Sequence, residues 1–142
     1  MATPEDLQAA GPTEAEAPEA RVKAFAVAAL DALPRQYARR VHNVQFLVEQ
    51  TLSATDRERL GVRRGDLYGL YVGIPLTRRT TGYNHVTPDR ITIYWGPLIR
   101  DFPDDAALAE KVRMVVYHEI GHYFGLSEAD LAHTSVGSRA FG

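Results

Sequence analysis

The order of its apolar runs predicts an α+β chain: one compact domain in which a small mixed sheet of about three to four strands is backed by helices. Three observations carry that expectation. Stretches of helical periodicity open and close the chain, short β-branched and aromatic runs lie between them, and glycine and proline punctuate the junctions. With 142 residues, 45% hydrophobic and 24% charged, the chain can bury one modest core.

Residues 1–20 stand apart. They contain no Lys or Arg, carry Glu5, Asp6, Glu14, Glu16 and Glu19, and have no apolar run. They read as a disordered acidic Ala/Pro/Glu tail ahead of a domain spanning 21–142. A signal peptide needs a basic start and then an apolar stretch, and neither is present; no run approaches the ~18 apolar residues of a membrane span. The lack of cysteine excludes disulfides, cysteine-ligated zinc and thiol nucleophiles, and it agrees with a cytoplasmic setting. Net charge is −2, and the domain without its tail is only weakly basic, which leaves no footprint for nucleic acid.

From Arg21 to Leu33, the residues Val22, Phe25, Ala26, Ala29, Leu30 and Leu33 follow helical spacing. Pro34 breaks this helix and can start a short second one, Arg35 to about Val41. Val44–Glu49 is β-branched and aromatic enough for a strand. The polar connection from Ser53 to Asp66 has room for a helical turn around Asp56–Leu60, with bends at Gly61 and Gly65. Leu67–Gly73 reads as a second strand whose glycines permit close approach or a bulge. Pro75, Gly82, Asn84 and Pro88 punctuate a long loop. Arg90–Trp95 is the third strand, ended by Gly96-Pro97. Asp101, Asp104 and Asp105 then supply acids where a helix N-terminus favours them, and a long helix runs from about Asp104 to Phe124, stopped by Gly125.

That long helix ends in the chain's most informative stretch, His118-Glu119-Ile120-Gly121-His122, extended through Glu128 to H-E-x-x-H-x-x-G-x-x-E. At about 100° per residue, Leu108, Val112, Val115, Val116, Ile120 and Phe124 cover a wide arc that must be buried, and His118 and His122 fall together at its margin. Two imidazoles so placed can grip one metal ion in a cleft. Glu119, about 100° further round, can take a proton from a metal-activated water and is the candidate catalytic base. Gly121 keeps the helix slim where another element can press close.

A catalytic zinc needs a third protein ligand. After His122 the chain offers only Glu128, Asp130 and His133. Gly125 permits a sharp turn that swings Leu126–Glu128 back towards the metal, and Glu128 occupies the position that fits. Asp130 stays in reserve, because Ser127-Glu128-Ala129-Asp130 resembles a capping box in which Asp130 serves the backbone. His133 reads as a surface residue, His85 as a solvated loop residue and His42 as structural. Tyr83, Arg78 and Arg79 in the long loop are candidates for stabilising an oxyanion.

The stretch from His118 to Gly125 resembles the motif of the small zincin-like metallopeptidases, sometimes called minimal metalloproteases. Ala32-Leu33-Pro34, the run from Leu70 to Arg78 and the run from Pro88 to Tyr94 are similar to the same family, so the similarity spans about Val22 to Leu131. It implies a zincin-like fold with one Zn2+ ion on the long helix, His118, His122 and Glu128 as its ligands, and Glu119 as general base. The family's acidic ligand is usually Asp, from which Glu128 departs by one methylene. No methionine follows to form the turn found beneath zinc in some larger relatives.

The expected activity is zinc-dependent hydrolysis of peptide bonds, with a peptide or protein as substrate and neither nucleic acid nor membrane as partner. A deformylase-like amide hydrolase is the first rival, but it takes a cysteine as third ligand and this chain has none. The second is a non-catalytic, metal-stabilised peptide- or protein-binding module on the same fold, which would have no use for Glu119.

Overall fold

The computed structural model describes residues 17–62, 66–75 and 88–133. Their elements, in chain order, are α1 (Pro18–Asp31), α2 (Arg35–Ala38), β1 (Val44–Glu49), α3 (Ala54–Leu60), β2 (Gly69–Val72), β3 (Asp89–Tyr94), α4 (Trp95–Asp101), α5 (Asp105–Tyr123) and α6 (Glu128–His133). The sheet is mixed and three-stranded in the order β1-β3-β2. β1 runs parallel to β3 with Phe46 opposite Ile91, while β2 runs antiparallel with Tyr71 opposite the same residue. Helices back this sheet, which is the α+β arrangement the apolar pattern implies.

The core forms where α1 and α5 cross the sheet. Val22, Ala26 and Ala29 of α1 meet Ile91 and Ile93 of β3, Leu98 of α4, and Leu108, Val112, Val116 and Ile120 of α5. Burying each Val, Leu or Ile contributes roughly 1.5–3 kcal/mol, so α5 is held as a rigid rod along most of its length. Its first turn is fastened twice. Asp104 caps it by accepting the Ala107 N–H at 3.0 Å, and Asp105 pairs with the buried Arg21 of α1.

Several boundaries differ from the sequence expectation for identifiable reasons. The first helix begins at Pro18, inside the segment read as tail; proline's missing N–H costs nothing in a first turn, and Glu19 there suits the helix dipole. Residues 1–16 lie outside the described set. The turn expected near Asp56 is a seven-residue helix, capped by Ser53 accepting the Asp56 N–H and closed by Gly61 at φ 72°. Gly96-Pro97 does not simply end a strand: Trp95, Gly96 and Pro97 form the first turn of α4, where backbone N–H groups have no intrahelical acceptor and proline is tolerated.

Candidate metal centre

The site is built where the C-terminal half of α5 passes under β2. The two elements touch closely: a Cβ on Gly69 would lie 2.7 Å from Val115 Cγ1 and 3.2 Å from Glu119 Cγ. Only a glycine fits there, so β2 descends onto the helix and roofs Glu119, which is 7% exposed. His118 and His122 emerge at the margin of this contact with 31% and 18% of their side chains accessible, and their rings stand 4.9 Å apart, edge to face.

Beyond His122 the chain reverses. Gly125 takes φ 97°, and the Leu126 N–H returns to the Gly121 carbonyl at 3.0 Å. Ser127 and Asp130 then form a reciprocal cap, with Ser127 N–H donating to Asp130 Oδ2 at 2.8 Å and Asp130 N–H to Ser127 Oγ at 3.1 Å. Asp130 is therefore occupied in starting α6. The helix it starts packs back on α5 at Gly121, where a Cβ would come 2.8 Å from Leu131 Cδ2. Together these contacts aim Glu128 at the two imidazoles.

Glu128 Oε1 lies 2.7 Å from His122 Nε2, and Oε2 lies 3.2 Å from His118 Nε2. One ligand atom from each of the three residues lies within 4.8 Å of the others, close to the span that one small cation bridges. His122 Nδ1 stands 2.8 Å from the Leu126 carbonyl oxygen. That oxygen can only accept, so Nδ1 carries a proton, and Nε2 is the nitrogen turned towards Glu128. Both imidazoles thus present Nε2 to the Glu128 carboxylate, so the three donor atoms converge on one point. Two nitrogens and one oxygen are a donor set that suits zinc.

The electrostatics separate the two glutamates. Burial pushes the Glu119 carboxyl up to about 7, against the opposing pull of His122 and the Tyr71 backbone N–H, with Glu128's charge adding to the rise. Glu128 is also raised by desolvation, but hydrogen bonds and charge from His118 and His122 outweigh that and leave it below the ordinary glutamate value. One carboxyl is poised near neutrality; the other is held ionised.

A groove runs along β2 and past this centre. One arm, about 360 Å³, lies between residues 66–69 and the face of α5 carrying Lys111, Met114 and His118. The other, about 450 Å³, follows Leu70–Tyr71 to Pro75 and passes Gly125–Ser127. Both arms reach Glu119 and Glu128.

The structure thus gathers His118, Glu119, His122 and Glu128, and sets His42 apart, its backbone N–H donating to the Tyr123 hydroxyl at 3.2 Å. Arg78, Arg79, Tyr83 and His85 lie outside the described residues, as does the side chain of His133. Two contributors escaped the sequence reading. The Leu126 carbonyl has no residue-type signature, although the left-handed turn at Gly125 hints that a carbonyl is redirected there. Lys111, about two turns before His118 on the same helix face, had only its spacing to announce it.

The profile of the family described as Zincin-like metallopeptidase matches residues 41–137, about two thirds of the chain and all of the centre. No curated protein matches the chain. Among the described residues no helix is long and apolar enough to cross a membrane.

Proposed function

The chain belongs to the zincin-like metallopeptidase family, and on that premise we propose that it is a zinc-dependent peptidase with Glu119 as its general base. The observation that carries the reading is the convergence of His118, His122 and Glu128 beside a buried, neutral-leaning carboxyl. Zinc held by those three residues supplies Lewis acidity to the attacking water and to the scissile carbonyl.

The rest of the chemistry falls to the chain itself. Glu119 accepts the proton of the attacking water and returns it to the leaving amine, a role for which a carboxyl poised near 7 is well matched. Gly69 and Val115 close off water on one side of it, so the proton has few competing acceptors. The Leu126 carbonyl holds His122 in the tautomer that points Nε2 inward. β2 is at the edge of the described sheet and borders both arms of the groove. Its outward backbone groups can take an extended peptide by strand addition, laying the scissile bond across the centre.

Burying Glu119 also bears on the rival reading of a non-catalytic, metal-stabilised binding module. A carboxylate shielded from water is costly, and a purely structural zinc site gains nothing from it. The decisive experiment pairs two variants. Glu119→Gln should retain one equivalent of zinc by elemental analysis and lose peptide hydrolysis, whereas His122→Ala should lose the metal. Unchanged hydrolysis in Glu119→Gln would end the proposal.

A further inference from the structure

The groove arm that leads towards the start of α5 ends on a cation that, among the described residues, no carboxylate claims. Lys111, Met114, Val115 and His118 lie three, four and seven residues apart and so share one face of the helix, with residues 66–69 as the opposite wall. Leu67, the Tyr68 ring, Met114 and Val115 make the arm largely apolar. At its far end the Lys111 ammonium stands 5.1 Å from the centre of the Tyr68 ring and 5.6 Å from that of Phe102.

Among the described residues no acid pairs with Lys111. The carboxylates nearby are already taken. Asp66 binds Arg57 at 3.1 Å and Arg100 at 2.7 Å; Asp101 binds Arg100 at 2.8 Å and accepts the Tyr68 hydroxyl at 2.5 Å. The arm's other two carboxylates, Glu119 and Glu128, belong to the candidate centre about two helical turns away, so among the described residues the Lys111 ammonium lines the groove without a carboxylate partner. Aromatic faces hold Lys111 in place without cancelling its charge.

Building on the peptidase reading, we infer that this arm recognises a carboxylate of the substrate, with Lys111 as the residue that sets the preference. Seven residues of α5 separate Lys111 from His118, about 10 Å of helix. An extended peptide at roughly 3.3 Å per residue covers that length in about three residues. The carboxylate therefore belongs to a position within about three residues of the scissile bond, on one side of it only. It comes from an Asp or Glu side chain or from the substrate's own C-terminus, and the apolar walls take the stem that carries it.

The test uses the zinc-loaded full chain and a mixed peptide library, each peptide made as free acid and as C-terminal amide, with cleavage sites read by mass spectrometry. Cleavage should be enriched about tenfold for a carboxylate at one position within three residues of the bond, the scale of one charge-assisted contact. Lys111→Glu should invert that preference towards Lys and Arg while leaving zinc content and melting temperature unchanged. Amidation abolishes the enrichment if the chain end is the ligand and leaves it intact if a side chain is.

A second measurement does not depend on turnover. Zinc-loaded Glu119→Gln is titrated with a fluorescein-labelled peptide carrying Glu at the preferred position or, in a twin, Gln. The Glu peptide should bind about tenfold tighter, and adding Lys111→Glu should erase the difference. Equal cleavage and equal binding of acidic and neutral peptides, or no response to Lys111→Glu, would overturn the inference. Lys111-dependent binding with no cleavage by the wild type would instead sink the peptidase reading and leave the recognition site standing.

Discussion

Two buried carboxylates lie along β2, Glu119 near its start and Asp89 near its end, and their surroundings differ in kind. Asp89 opens β3 at 2% exposure and accepts the Tyr71 hydroxyl at 2.7 Å, with Gly73 so close that a Cβ there would lie 2.4 Å from its Cγ. Glu119 is nearly as buried at 7%, yet it faces a groove, and burial lifts its carboxyl to about 7. A buried charge with a fixed hydroxyl partner organises structure. One held at the edge of a groove, its carboxyl raised by burial, is the candidate for chemistry.

The sharpest way to break this comparison is to neutralise each acid in turn. Glu119→Gln should lower kcat/KM by about 10²–10⁴-fold, the range for losing a general base. Asp89→Asn should stay within a few-fold of wild type in the same peptide assay. Comparable losses from both would show that the two carboxylates are not divided into chemical and structural roles.

Metal loading comes next in size. Zinc at a thousand times its Kd should stabilise the wild type by about 4 kcal/mol in urea unfolding. Asp89→Ala should show the same increment and His122→Ala should not, because His122 is a proposed ligand and Asp89 is not.

Stability in chelator separates the pair by sign. Asp89→Ala should cost about 1–3 kcal/mol by removing a buried acceptor of the Tyr71 hydroxyl. Metal-free Glu119→Gln should instead gain about 0.5–2 kcal/mol, since it removes an acid that burial disfavours in its charged form. A loss in both variants would count Glu119 among the structural acids.

The smallest effect lies at the exposed end of the groove. Hydrogen bonds from Arg100, and then from the Tyr68 hydroxyl, hold the Asp101 carboxyl down to about 2. A carboxyl with a depressed folded-state value stabilises above the ordinary carboxylate range, and that contribution fades as the pH falls towards 2. The drop in urea midpoint between pH 6 and pH 3 should therefore be slightly smaller in Asp101→Asn than in wild type, and an equal drop would remove Asp101 from the network.

Much of this was legible from residues alone, unevenly. α5 announced itself because Leu108, Val112, Val116 and Ile120 repeat at helical spacing over more than three turns, and that same spacing fixed the relation between His118, His122 and Glu119. β1 was readable to the residue, since Val44–Glu49 is a self-contained apolar run. α4 was not, because Gly96-Pro97 signals a stop wherever it stands unless the strand before it has already turned to place proline in a first turn. The groove was hidden for another reason. Leu67–Gly69 meets Lys111–Val115 only because β2 lies on α5, and the strand order that puts it there depends on contacts distant in sequence. The capping role of Asp130 could be read locally; the tautomer imposed by the Leu126 carbonyl could not.

The strand order has a consequence for how the protein is born. β3 is central in the sheet yet last of the three to be made. While a ribosome adds the residues from Glu49 to Tyr94, at roughly 5–20 per second, β1 spends about 2–9 seconds without its neighbour. β2 likewise emerges with no strand to pair. Only α4 separates the strand that completes the sheet from the helix that carries the histidines, so the second wall of the groove, with the candidate metal ligands on it, is made after all three strands.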